Sequence, residues 1–153
     1  MKARTTVLML VTLFGATMCF AANPSLGTWK LNEAKSKLSP GLPKNVTVKY
    51  EAAGDNIRGT IDGVDGQGKP THAGWTGKFD GKDYPVTGDP SSDTRAIKQI
   101  DERNYELTVK KGSKVTMTGK AVISADGKSR TVTVSGTNAA GKKIESTAVY
   151  DKQ

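Results

Sequence analysis

The chain has 153 residues, with 23 Lys and Arg against 15 Asp and Glu, a net charge of +8, one His, one Cys and 6% aromatic residues. That length suits a single domain with a sizeable core. One histidine and one cysteine leave little material for histidine-ligated metals, Ser-His-Asp catalysis or thiol chemistry.

Residues 1–21 read as a cleavable secretory signal peptide. Lys2 and Arg4 give a positive start, and Val7 to Ala16 supply an apolar core of the roughly 7–15 residues such signals use. That core falls short of the about 20 apolar residues a membrane span needs, so no membrane span is expected. Small residues at Cys19 and Ala21 place the cut before Ala22. Lipidation of Cys19 is the rival reading, but Met18 stands where Gly, Ala or Ser normally precedes such a cysteine. The expected product is an exported, periplasmic or secreted domain over residues 22–153, with no cysteine.

Leu26-Gly27-Thr28-Trp29-Lys30-Leu31 opens that domain. A glycine two before tryptophan on a first strand allows close approach while the indole plugs one end of a closed sheet. Glu33 to Lys37 offer one helical turn, stopped by Pro40 and Pro43. Alternating runs follow: Val46, Val48 and Tyr50; Ile57 and Ile61; Tyr105, Leu107 and Val109; Val115, Met117, Ala121 and Ile123; Val132 and Val134; Ile144, Ala148 and Tyr150. Period two with Thr or Lys between the apolar positions means half-buried antiparallel strands. Gly-, Asp- and Asn-rich turns at 53–56, 65–68, 80–82, 112, 126–128 and 140–141 make them a meander. Pro85 to Ser92 reads as the longest stretch without strand character, in an acidic middle that separates two basic flanks. With no long helix to cover a sheet, the expectation is an all-β, antiparallel up-and-down barrel of about 8–10 strands, with a half-closed β-sandwich as the alternative. Gly27 to Leu31 should pair with Ile144 to Tyr150 to close it.

The chemistry that can be tested is mostly negative. Gly63 to Pro70 and Gly136 to Lys143 approach a phosphate-binding loop but lack the magnesium-holding Ser or Thr and open no helix. The aspartates between Asp62 and Asp93 miss the calcium-loop pattern, with Ala73 at the twelfth position from Asp62. His72 beside Pro70 and Gly74 reads as a loop or strand-edge residue, and Asp80 with Asp83 as turn chemistry. Lys110, Lys111, Lys114, Lys142 and Lys143 form a cationic rim with Tyr105 the one aromatic nearby, which argues against nucleic acid. No cofactor, metal or catalytic residue is expected.

Gly27-Thr28-Trp29 at one terminus and Ser146 to Asp151 at the other resemble the calycin superfamily of lipocalins and intracellular fatty-acid-binding proteins, in which Gly-x-Trp opens an up-and-down barrel. Over nearly the whole of residues 22–153 the chain also resembles small, uncharacterised exported bacterial proteins with Gly-Thr-Trp-Lys-Leu-Asn near the start, Asp-Gly-Lys-Asp-Tyr-Pro-Val-Thr-Gly in the middle and Val-Tyr-Asp-Lys at the end. The calycin resemblance implies a barrel that can hold a ligand. Two features of the fatty-acid-binding proteins are missing: the Arg-x-Tyr of their last strand is Ala148-Val149-Tyr150, and only a short segment between Leu31 and Asn45 stands where their helical lid would be.

Two functions follow as expectations. The first is a non-catalytic carrier of a small apolar or amphipathic molecule contacted by Trp29, Tyr50, Trp75, Tyr105, Met117 and Tyr150, unless these side chains simply fill the core. The second is an envelope protein-interaction or inhibitor module acting through loops, chiefly Asp80 to Asp93, with attraction to an anionic surface as a further possibility.

Overall fold

A strand with apolar and polar positions in alternation buries one face and hydrates the other, so a sheet built of such strands with no helix to cover it gains by closing on itself. The computed structural model describes residues 23–137 and 141–153 and has that closed form. The expected signal peptide, its expected cleavage site and Cys19 lie outside the described residues.

The strands are β1 (Gly27–Leu31), β2 (Lys44–Ala53), β3 (Asn56–Val64), β4 (Pro70–Gly77), β5 (Tyr84–Thr87), β6 (Thr94–Gln99), β7 (Asn104–Lys111), β8 (Lys114–Ile123), β9 (Ser129–Thr137) and β10 (Lys143–Lys152). Each pairs antiparallel with its chain neighbour, and β1 pairs with β10 to complete a ten-strand up-and-down barrel. The seam sets Leu31 opposite Tyr150, Lys30 opposite Asp151 and Trp29 opposite Lys152, so β1 pairs with the end of β10 and meets the expected segment Ile144 to Tyr150 only at its last residue. Among the described residues one 3₁₀ turn, over Glu33–Lys35, is the helical element, capped by the Asn32 side chain.

Three strands were not among the alternating runs. In β4 the buried positions are Ala73, Trp75 and Gly77, so two of three carry almost no hydrophobic signal. In β6, Arg95 takes a buried position ahead of Ala96 and Ile97, hiding the pattern behind a charge. The stretch expected to be loop from Pro85 to Ser92 begins with three strand residues, Pro85, Val86 and Thr87. β5 has only two register pairs on each side, and Val86 N–H donates to the Asp93 carbonyl at 2.9 Å. Four residues containing a proline are too short for period two to show.

Two valines assigned to the apolar face are exposed, Val46 at 36% and Val115 at 47%. Each stands beside a register shift, between Asn45 and Thr47 on β2 and beside Val109 and Lys110 opposite β8. A β-bulge inserts one residue and reverses the inward-outward order beyond it. Both bulges lie at the end of the barrel where β2 and β8 begin.

The other end is closed by aromatic packing. Trp29 is fully buried, and its indole N–H donates to the Ser25 carbonyl at 2.8 Å, so the segment before β1 folds under the barrel. Gly27 has φ of +116°, and a Cβ there would stand 2.9 Å from the Lys152 Cε, whose ammonium lies 5.0 Å from the centre of the Trp29 ring. The glycine thus admits a lysine stem as well as a left-handed backbone. Phe79 packs edge-on against Tyr50 at 5.8 Å and Tyr105 at 5.4 Å between centroids, completing the floor.

Candidate functional site

Above that floor the barrel is not filled. A cavity of about 700 Å³ occupies its interior, within the roughly 300–1,000 Å³ of small-molecule sites. Strand periodicity builds its wall, since Leu107 and Val109 on β7, Val132 and Val134 on β9, and Ala148 and Tyr150 on β10 all point inward. Small side chains leave the space open: where Ala121 and Ala148 stand, larger residues would fill it. At the bulged end Leu38, Leu42, Gln67, Pro90, Ser91 and Met117 line the cavity, and the exposure of Gln67, Pro90 and Ser91 brings it to solvent there.

Of the six residues singled out from sequence, Tyr50, Tyr105, Met117 and Tyr150 line the cavity. Trp29 and Trp75 do not: Trp29 lies in the floor, and Trp75 packs behind Tyr50 with ring centroids 6.2 Å apart. Tyr105 is oriented toward the floor, where its hydroxyl donates to the Glu102 carbonyl at 3.2 Å. The Tyr150 hydroxyl donates to the Asn45 carbonyl at 3.0 Å. Burial pushes the Tyr150 phenol up to about 12, against the opposing pull of the Arg130 and Arg95 charges. Met117 sits near the mouth, beside the bulge that exposes Val115.

The residues that sequence reasoning missed are two arginines. Arg95 and Arg130 both line the cavity and are 8% and 6% exposed. The last strand is uncharged at Ala148, as its sequence says, but cations enter the barrel from β6 and β9 instead. A signal was present: Arg95 has the parity of Ile97, and Arg130 that of Val132 and Val134.

Arg130 stands within 5.0 to 5.4 Å of the ring centres of Tyr150, Trp29 and Tyr50. Aromatic faces attract a guanidinium, more so where water is excluded. Arg95 has no such aromatic contact among the described residues, and its charge acts on Asp89 in the loop after β5. Burial raises the Asp89 carboxyl, but hydrogen bonds from the Ser91 and Ser92 side chains and the Ser91 N–H, with the Arg95 charge, hold it below its ordinary value. Those bonds, at 2.6 and 2.7 Å from the two hydroxyls, fold the loop back over the mouth.

His72 lies on the outer face of β4 and meets Asp62, its register partner on β3, away from the cavity. No helix among the described residues is long and apolar enough to cross a membrane. In comparisons with known proteins, the sequence matches no protein-family model and no curated protein.

Proposed function

We propose that this chain is an exported, non-catalytic binding protein that holds one small apolar or amphipathic molecule inside a calycin-like barrel. The observation that carries the reading is the open interior of about 700 Å³, reached by solvent at the bulged end. Its wall of aliphatic side chains with a few tyrosine and arginine groups has the composition of a small-molecule pocket. A barrel of this kind either packs its centre or encloses a ligand. Ten strands stapled by β1 and β10 give a rigid container, and rigidity lowers the ordering cost of binding. Export rests on the leader-like sequence of residues 1–21.

The test is titration of the purified protein with N-phenyl-1-naphthylamine, a neutral apolar fluorophore. Saturable binding with enhanced emission is expected, and its loss is expected in Ala148→Trp, which puts an indole into the cavity. Binding that persists undiminished in a folded Ala148→Trp protein would place the probe outside the barrel and overturn the reading.

A further inference from the structure

Removing a guanidinium from water is costly unless a counter-charge and hydrogen bonds replace the lost hydration. Arg95 and Arg130 are both more than nine-tenths buried, and the Nε of each is enclosed without a hydrogen-bond partner. Among the described residues neither guanidinium has an ion pair or a hydrogen bond to protein. The carboxylates that reach the same cavity are Asp65, Asp89 and Glu106, all half-buried or exposed, and Lys44 adds another cation. Asp65 is occupied by the Gln67 and Lys69 N–H groups, and Asp89 by Ser91 and Ser92. Both guanidiniums line the same cavity as Tyr150, Arg95 from β6 and Arg130 from β9, with β7 and β8 between those strands.

Two buried guanidiniums lining one largely apolar cavity, each with an Nε that no protein group satisfies, form half of a recognition site. We infer that the cavity's ligand is an anion: an amphiphile whose carboxylate or phosphate oxygens lie between Arg95 and Arg130 beside Tyr150, with its apolar body against Val48, Ile61, Leu107 and Val132. The fork of N–H donors on each guanidinium suits such oxygens, and the anion supplies hydrogen-bonded partners for both Nε groups, which Asp89, held by Ser91 and Ser92, does not. Tyr150 is kept neutral by its burial and adds no competing negative charge. The rings of Trp29, Tyr50 and Tyr150 lie 5.0 to 5.4 Å from the Arg130 guanidinium and help hold it in place for the ligand. This assignment rests on the cavity-binding reading above and narrows it to one charge class.

The experiment is displacement of bound N-phenyl-1-naphthylamine by a charge series on one chain length: dodecanoate, dodecyl phosphate, dodecanol and dodecyltrimethylammonium. An anion is expected to compete at least about tenfold better than the alcohol, since hydrogen bonds to a charged group are worth about 1.5–3 kcal/mol. The cation is expected not to compete, and whichever anion is stronger names the headgroup. Arg95 has no aromatic stack, so Arg95→Gln is the variant least tied to the fold. It should weaken the anion about tenfold and leave the alcohol within about twofold, while Arg95→Lys retains part of the preference. Equal competition by anion and alcohol, or an Arg95→Gln protein that weakens both alike, overturns the anion assignment and leaves the cavity reading standing. Failure of the neutral fluorophore to bind at all overturns both.

Discussion

Arg130 and Tyr150 face each other in register across β9 and β10, and the Arg130 guanidinium lies 5.0 Å from the centre of the Tyr150 ring. Cross-strand partners on an inward face touch, so the ladder itself delivers a cation and a phenol to one point of the cavity wall. The phenol must then stay neutral in a place where burial opposes its ionisation more strongly than the two arginines favour it.

This makes Tyr150 a source of alkaline instability. Its folded pKa is raised from 10.0 to about 12, so the unfolded chain gives up the proton first. The stabilisation is complete below about pH 10 and is lost as pH rises through about 12. Between pH 8 and pH 11 the wild-type protein should lose about 1.4 kcal/mol more than Tyr150→Phe, in urea unfolding at both pH values. Equal losses in the two proteins would show that Tyr150 does not titrate as its burial requires.

Asp89 works with the opposite sign. Its carboxyl is lowered from 3.8 by the Ser91 and Ser92 donors, against the cost of its burial. The charge therefore stabilises the fold above the unfolded value and ceases to do so as pH falls through the lower folded one. Asp89→Asn should cost about 1 kcal/mol at pH 7. In guanidinium unfolding that difference should shrink as both proteins are taken below pH 4; a constant difference at low pH would contradict it.

Much of this architecture is legible in the alternation of β1, β2, β3, β7, β8, β9 and β10, because a half-buried strand must repeat every two residues. What is hidden has physical reasons. β4 turns Ala73 and Gly77 to the core, with the Tyr84 ring lying against Gly77, and β5 is too short to show a period. Val46 and Val115 are thrown outward by bulges, which no residue-type pattern reveals. Arg95 and Arg130 were missed because a charged side chain is normally read as solvent-facing. Their parity with Ile97 and Val132 was the better guide, since a strand cannot turn one residue outward without breaking its ladder.

Gly88 ties the mouth to the wall. Its φ is +73°, and a Cβ there would stand 1.9 Å from the His72 carbonyl oxygen, a backbone atom that cannot step aside. Gly88→Ala should therefore cost more than about 2 kcal/mol, against about 1 kcal/mol for Gly112→Ala, where φ is +58° and nothing lies within 4 Å. Thermal unfolding of both variants checks this. Equal shifts would mean that backbone conformation alone, and not the approach to His72, sets the requirement for glycine.

The most direct measurement is native mass spectrometry of the protein isolated from the cells that make it, followed by denaturation of the same sample. The account predicts one small anionic molecule retained by the folded chain at unit stoichiometry and released on unfolding. A bare chain that also fails to take up N-phenyl-1-naphthylamine would contradict it.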